Sequence, residues 1–176
     1  MDEGSPAQSS LPVRYSLRPV EAPDRELLFQ VYASTRELEL SAIDWPVEAK
    51  ELFLRQQFEA QDAHYRTHYR NTSYDVVLLD GIPVGRLYVA RWRDEIRIVD
   101  IALLPAARGQ GIGATLISRL VAEAETSGRK VSIHVERENP ALRLYERLGF
   151  RLAEDKGVYL FLERTPGESP RTPLAP

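Results

Sequence analysis

The spacing of apolar residues along the chain predicts where its helices and strands lie. Alternation over residues 13–18 is typical of a strand, and Pro19 ends it. An apolar stripe over residues 27–32 predicts a first helix with Asp24 as its cap, and a second helix is expected over residues 46–69. The predicted order therefore starts with one strand and two helices.

The apolar period then shortens to two residues. Three runs rich in β-branched side chains lie at residues 74–79, 84–90 and 96–104. They are separated by an Asp-Gly pair at residues 80–81 and by a charged segment at residues 93–95. Because Asp-Gly pairs favour tight hairpin turns, these runs predict an antiparallel meander.

A glycine-rich turn leads into a third helix, since apolar side chains recur every three or four residues from Ile112 until Gly128 closes the pattern. The remaining elements are predicted as a strand at residues 131–135, a helix at residues 140–148, and a hairpin of residues 150–153 and 158–163. Asn139 is the expected cap of the fourth helix.

This order of elements predicts one mixed α/β (α+β) domain at residues 13–164, a size that suits a single core. Residues 1–12 and residues 165–176 are rich in proline and polar side chains and lack apolar periodicity. Both segments are therefore predicted to be disordered tails.

The composition narrows the functional classes. The formal net charge is -3 and lysine and arginine do not cluster, so nucleic acid is not an expected partner. No apolar run approaches the roughly 20 residues of a membrane-spanning helix, and a secretion signal is not evident, so a cytoplasmic protein without membrane contact is expected. The absence of cysteine excludes disulfides, thiolate metal sites and a cysteine nucleophile.

The stretch at residues 98–113 is the most informative part of the sequence. An apolar run typical of a buried strand ends at Pro105, and a basic turn with glycines at positions 109, 111 and 113 leads directly into a helix. Glycines let the backbone approach a ligand, while the free amides and positive dipole end of a helix favour phosphate. The stretch therefore predicts a cradle for a phosphate-bearing molecule.

Two common phosphate sites fit this turn poorly. A P-loop needs Lys followed by Ser or Thr after its last glycine, whereas Gly113 is followed by Ala114 and Thr115. A dinucleotide-binding fold would explain the strand, turn and helix, with Glu136 about where a ribose-binding acid belongs. However, the glycines are spaced GxGxG instead of GxGxxG, and too little chain follows to complete a doubly wound sheet.

A third explanation rests on two motifs. Residues 108–114 read Arg-Gly-Gln-Gly-Ile-Gly-Ala, which resembles the R/Q-x-x-G-x-G/A signature of the GNAT superfamily of N-acetyltransferases. Residues 139–150 resemble that family's Asn-x-x-Ala-x-x-Leu-Tyr-x-x-x-Gly-Phe segment. The resemblance implies a GNAT-like fold over residues 13–164, with a central mixed, mostly antiparallel sheet of about seven strands flanked by four helices.

The resemblance also implies acetyl-CoA as the acyl donor, without a metal. The strand before the turn would splay from its neighbour and pair its backbone with the pantetheine arm, while amides of the turn would hold the pyrophosphate. The implied cofactor-binding residues are Ile101, Ala102, Leu103, Arg108, Gly109, Gln110, Gly111, Ile112, Gly113, Ala114 and Asn139. One departure is that the interval from Asn139 to Tyr145 is one residue shorter than in the family pattern.

Tyr145 matches the family tyrosine that protonates the departing coenzyme A thiolate. When an amine attacks a thioester, the sulfur leaves more easily if a phenol donates a hydrogen bond or a proton to it. The alternative is a tyrosine that only packs in the core, because Leu142 and Leu148 share its helical face.

The group that accepts the proton of the amine is less well defined. The resemblance places His134 where some members have a catalytic glutamate, and Glu136 lies on the same strand face, so both are candidate catalytic residues beside a water chain. Their alternative roles are a structural histidine and an exposed acid. Another family position for the base corresponds to Arg97, which cannot accept a proton, and the nearby Asp100 has the opposite strand parity.

In GNAT enzymes the acceptor usually meets the second helix, which here is rich in polar and aromatic side chains. The candidate substrate-binding residues are Gln57, Gln61, His64 and Tyr65. His64 and His68 share a helical face, but the pattern is not HExxH and no third ligand is apparent, so no metal site is expected.

The sequence therefore predicts an acetyl-CoA-dependent N-acetyltransferase that transfers an acetyl group to a primary amine of a small molecule or peptide. Direct transfer in a ternary complex is expected because no cysteine is present to carry the acyl group. The alternatives are a non-catalytic GNAT-fold module that binds acyl-CoA or a partner, and a dinucleotide-binding domain. Homodimers are common in families that resemble this one.

Overall fold

A computed structural model describes residues 15–167, and its centre is a seven-stranded sheet in the order β1-β2-β3-β4-β5-β7-β6. All neighbouring strands are antiparallel except β4 and β5, which are parallel. The predicted mixed, mostly antiparallel sheet is confirmed. The strands are β1 (Tyr15–Pro19), β2 (Thr72–Leu79), β3 (Ile82–Arg91), β4 (Glu95–Leu103), β5 (Lys130–Glu136), β6 (Arg151–Lys156) and β7 (Tyr159–Arg164).

Four α-helices accompany the sheet in the described residues, as predicted: α1 (Arg25–Ser41), α2 (Val47–His68), α3 (Ile112–Ser127) and α4 (Leu142–Arg147). Helix α4 is shorter than the predicted residues 140–148, because residues 139–141 form a tight turn in which Asn139 Oδ1 accepts the amide of Ala141 at 2.9 Å. None of these helices is both long and apolar enough to cross a bilayer.

The expected tails lie mostly outside the described residues, and so does the start of the predicted strand at residues 13–18. Asp24 occupies the N-cap position of α1, as predicted, but its side chain makes no hydrogen bond to the first turn of that helix. The carboxylate instead accepts two hydrogen bonds of 2.7 Å from Arg18 and one of 2.8 Å from the amide of Glu21.

The two faces of the sheet pack against different helices. Strand β5 turns its alternate residues Val131, Ile133 and Val135 into the main core, where α3 and α4 cover the sheet. Helices α1 and α2 lie on the opposite face and meet each other through a second apolar cluster that includes Phe29 and Phe58. Ser132, His134 and Glu136 therefore face α1 and α2.

A β-bulge at Val99 changes the facing of the second half of β4. Tyr88 of β3 pairs with Asp100 while Val89 pairs with Ile98, so Val99 is the extra residue. The bulge shifts the alternation by one position, and Asp100 consequently lies on the same face as Arg97. The sequence-based parity argument against Asp100 is therefore wrong.

Candidate active site

Strands β4 and β5 diverge at the centre of the sheet. Their parallel ladder runs from the pair Glu95–Lys130 to the pair Ile98–Ile133 and then ends. Beyond this point β4 stays paired with β3 as far as Leu103, while β5 stays paired with β7. The edge of β4 at residues 99–103 thus faces a gap between two strands, where an extended ligand can pair with its peptide groups. The segment includes the predicted Ile101, Ala102 and Leu103.

The glycine-rich turn follows at the end of this gap. Gly109 and Gly111 have φ of 72° and 79°, a region that β-carbons disfavour, and α3 begins at Ile112. A β-carbon added to Gly109, Gly111 or Gly113 would have no heavy atom within 4 Å other than those of its own neighbours along the chain. The space above the turn is therefore open. Since the first amides of a helix lack intrahelical acceptors, the turn suits a pyrophosphate.

Arg108 differs from the sequence-based expectation for the turn. Its amide donates to the carbonyl oxygen of Pro105 at 3.1 Å and is therefore already engaged. Its guanidinium donates to the carbonyl oxygen of Leu103 at 2.8 Å and to Ser34 Oγ at 2.9 Å. Arg108 thus fastens the turn to β4 and α1, and the available amides begin at Gly109.

Tyr145 comes to this region from α4. Its side chain is 3% exposed and meets the Phe150 ring edge-on, with the centroids 5.4 Å apart. Burial, assisted by the negative charge of Asp100, raises the pKa of Tyr145, so the phenol carries its proton at neutral pH. No described residue forms a hydrogen bond with this hydroxyl, so it can donate its proton to a ligand. Asn139, which was also expected here, uses Oδ1 to hold the turn before α4.

Asp100 anchors a polar cluster between β4, β3 and α2. Its Oδ2 accepts hydrogen bonds from Arg86 Nη2 at 2.7 Å and from the Tyr65 hydroxyl at 3.0 Å. Arg86 is 3% exposed and donates a further hydrogen bond to Gln61 at 2.9 Å. Burial and the charge of Asp100 raise the pKa of Tyr65, which keeps that hydroxyl a donor. No described residue donates to Asp100 Oδ1, which leaves this oxygen for a ligand.

A cavity of about 370 Å³ lies between α2 and the start of the gap. Three of the four predicted substrate-binding residues, Gln61, His64 and Tyr65, line it, together with His134 of β5. Gln57 is exposed on α2 and is not part of the lining. The lining residues that the sequence analysis did not assign to a site are Tyr69, Arg97, Ile98, Val99, Lys156 and Tyr159.

The two candidate bases of β5 have different surroundings. His134 stacks on Phe161 with the ring centroids 4.7 Å apart, and burial together with the charge of Arg97 lowers the pKa of its imidazole. Glu136 lies 2.8 Å from the guanidinium of Arg36, which connects β5 to α1. Glu136 is absent from the cavity lining, so among these two residues only His134 lines the cavity.

Residues 15–167 contain no set of three His, Cys, Asp or Glu side chains close enough together to bind a metal ion. His64 and His68 stack with their centroids 4.3 Å apart, and His68 Nδ1 lies 2.9 Å from the carbonyl oxygen of His64. The shared helical face of these histidines is therefore occupied by ring stacking and a backbone contact.

In sequence, this chain is similar to one family model and to individual known proteins. The model of the Acetyltransferase (GNAT) family matches residues 33–150. The mycothiol acetyltransferase of Corynebacterium glutamicum (strain R) is 35% identical over 123 residues, which cover 67% of this chain. The chain spans 40% of the length of that relative.

Solved structures share the fold. The PaiA N-acetyltransferase of Thermoplasma acidophilum in complex with coenzyme A has a TM-score of 0.65 and 16% identity, covering 87% of this chain and 99% of its own. A GNAT family acetyltransferase of Elizabethkingia anophelis with acetyl-CoA bound has a TM-score of 0.57 and 16% identity, covering 86% and 98%. At such identities the likeness concerns the fold alone.

Proposed function

The chain belongs to the acetyltransferase (GNAT) family, and on that premise we propose that it transfers an acetyl group from acetyl-CoA to a primary amine of a small molecule or peptide. The observation that carries the proposal is the position of the gap between β4 and β5. The glycine-rich turn lies at one end of this gap, the cavity under α2 lies at the other, and Tyr145 and Asp100 belong to the region between them.

The donor is proposed to lie along β4 and the turn. The exposed edge at residues 99–103 would pair with the amide groups of the pantetheine arm, and the amides from Gly109 to Ala114 would hold the pyrophosphate. The complexes of the two structural neighbours with coenzyme A and acetyl-CoA are consistent with this choice of donor. The mycothiol acetyltransferase of Corynebacterium glutamicum is likewise an acetyltransferase by name.

Asp100 is proposed to handle the proton of the acceptor. An alkylammonium loses its proton only near pH 10 in water, so it needs a negative group to bind it and accept that proton, directly or through water. Asp100 is not part of the cavity lining, but it directly follows the lining residue Val99. Its Oδ1 fits this role, because Arg86 and Tyr65 both donate to Oδ2 and hold the carboxylate in place.

Tyr145 is proposed to act on the leaving group. As the nitrogen forms a bond to the acetyl carbon, the bond from that carbon to sulfur breaks, and the sulfur takes the proton of the phenol. Burial and the charge of Asp100 favour the protonated phenol, which is the form this step requires. Direct transfer between the two substrates is expected, since the sequence contains no cysteine to hold the acyl group.

The experiment that tests this function follows the release of free thiol from acetyl-CoA in the presence of a panel of primary amines. Thiol release that depends on the amine, with intersecting initial-rate lines when both substrates are varied, supports the proposal. Tight binding of acetyl-CoA without transfer to any amine would instead indicate a non-catalytic acyl-CoA-binding module.

His134 is the second candidate for the proton acceptor, because it lines the cavity and its lowered pKa keeps the imidazole neutral at pH 7. Asp100→Asn and His134→Gln separate the two assignments. We expect kcat to fall by about 10²-fold or more in Asp100→Asn, the range for loss of a general base. A comparable fall in kcat in His134→Gln with normal turnover of Asp100→Asn would reverse the assignment.

A further inference from the structure

The cavity under α2 has a positively charged lining. It includes Arg97, whose side chain is 12% exposed, and Lys156 at the end of β6, and the described lining contains no carboxylate. An acceptor that carries only ammonium groups would meet like charge there. The lining instead favours an acceptor with a negative group.

The ring of Phe161 brings these cationic groups together. Arg97 Cζ lies 4.9 Å from the ring centroid and Lys156 Nζ lies 5.5 Å from it. His134 stacks on the same ring at 4.7 Å. Arg97 and Lys156 also both line the cavity, so an anionic group placed there is attracted by both charges.

The carboxylates nearest to these cations occupy only part of their hydrogen-bonding capacity. Glu95 accepts hydrogen bonds from Arg97 Nε at 2.8 Å and Nη2 at 2.6 Å, and Ser132 Oγ accepts a further one from Nε at 2.6 Å. Arg97 Nη1 lies 3.4 Å from Nδ1 of His134, which also lines the cavity. Because a guanidinium cannot accept, Nδ1 is the acceptor of this contact, and neutral His134 carries its hydrogen on Nε2. Glu154, 3.3 Å from Lys156, is 60% exposed and therefore screened by water.

Three tyrosines, Tyr65, Tyr69 and Tyr159, supply aromatic wall to the cavity, and Ile98 and Val99 supply apolar wall. The volume of about 370 Å³ lies at the lower end of the range for small-molecule sites. From Arg97 to Asp100, β4 spans about 10 Å. A bound amino acid can bridge this distance together with the side chains of Arg97 and Asp100. An amine near Asp100 and an anionic group near Arg97 can thus belong to one small molecule.

We propose that the acceptor is a small amine that also carries an anionic group, such as the carboxylate of an amino acid, and that Arg97 and Lys156 bind this group. The proposal rests on the proposed N-acetyltransferase function. Neutral His134 adds a hydrogen-bond donor, and the tyrosine rings accommodate an apolar or aromatic side chain of the acceptor.

A binding experiment tests the anion site without requiring turnover. Isothermal titration calorimetry compares N-acetylphenylalanine with N-acetylphenylalaninamide on the protein saturated with coenzyme A, and neither ligand has a free amine. We expect N-acetylphenylalanine, which carries the carboxylate, to bind about tenfold more tightly, the effect of a hydrogen bond to a charged group.

The Lys156→Gln variant tests the contribution of the lysine. It is expected to reduce this preference by about threefold or more, because the lysine is partly exposed. Arg93→Gln, at a side chain that is 96% exposed outside the cavity, is the matched control and leaves the preference unchanged. Equal binding of the two ligands would overturn the proposal.

A turnover experiment then compares phenylalanine, phenethylamine and putrescine as acceptors. We expect phenylalanine to have the lowest KM, and Lys156→Gln to raise this KM while kcat and the KM for acetyl-CoA stay within about twofold of the wild type. A lower KM for phenethylamine or putrescine would overturn the proposal. If no amine is acetylated, the proposed function fails, and the binding preference still decides whether the anion site exists.

Discussion

Replacing Asp100 with alanine is expected to destabilise the protein strongly, because it leaves the buried charge of Arg86 without its partner. Arg86 is 3% exposed, and its Nη2 lies 2.7 Å from Asp100. Removal of one partner of a buried ion pair costs about 3–5 kcal/mol, and loss of the hydrogen bond from Tyr65 adds about 1 kcal/mol. For a chain of this length, the sum of about 4–6 kcal/mol corresponds to a fall in Tm of roughly 8–24 °C.

Urea denaturation measures this effect as a shift of the midpoint. Asp94→Ala is the control, since that side chain is 89% exposed and its loss is expected to change the free energy of unfolding by less than about 0.5 kcal/mol. The double variant Arg86→Met/Asp100→Leu removes both charges and should regain most of the stability without regaining activity. An unchanged midpoint for Asp100→Ala would show that the ion pair with Arg86 does not stabilise the fold. An active double variant would show that Asp100 is not the proton acceptor.

Four further changes test separate parts of the site. Tyr145→Phe should lower kcat by about 10²-fold or more while calorimetry shows acetyl-CoA affinity within about twofold of the wild type; equal turnover would remove the phenol from the mechanism. Gly111→Val should abolish acetyl-CoA binding, because φ of 79° excludes a β-branched side chain, and a normal affinity in the folded variant would contradict the cradle. Gly85→Ala should cost about 1–3 kcal/mol in a thermal melt, since its β-carbon would lie 2.4 Å from the carbonyl oxygen of Ala102, and an unchanged Tm would argue against this close approach of β3 to β4. His134→Gln should reduce the loss of stability that acidification causes. The pKa of His134 is lowered from 6.5 in the folded protein, so the unfolded chain binds the proton first. Stability therefore falls as the pH drops from 6.5 towards the pKa of His134 in the folded protein, and the variant lacks this contribution. An identical pH dependence in that variant would show that His134 is not perturbed.

The order of the elements was predictable from local signals in the sequence. The Asp80-Gly81 hairpin is confirmed by φ of 50° and 81°, and Gly128 ends α3 with φ of 66°. These features depend on residues adjacent in sequence, which the apolar period and turn chemistry specify directly. The glycine-rich turn was predictable for the same reason.

The polar centre of the site depends on contacts between distant segments. The bulge at Val99 has no signature in the sequence, because it arises from how β4 pairs with β3, and it places Asp100 beside Tyr65 and Arg86. Lys156 joins the cavity through the β6–β7 hairpin, whose position next to β5 is a matter of sheet topology. The apolar period and the two motifs therefore identify the glycine-rich turn and Tyr145, whereas the surroundings of Asp100 and Lys156 depend on the assembled sheet.

The proposed acetyl transfer is tested by mass spectrometry of the products when the purified protein is given acetyl-CoA and phenylalanine. We expect N-acetylphenylalanine and free coenzyme A in equal amounts, at a rate that Tyr145→Phe lowers, with no acetyl group retained on the protein. Binding of acetyl-CoA without an N-acetylated product from phenylalanine or from any amine of the wider panel would contradict the proposed function.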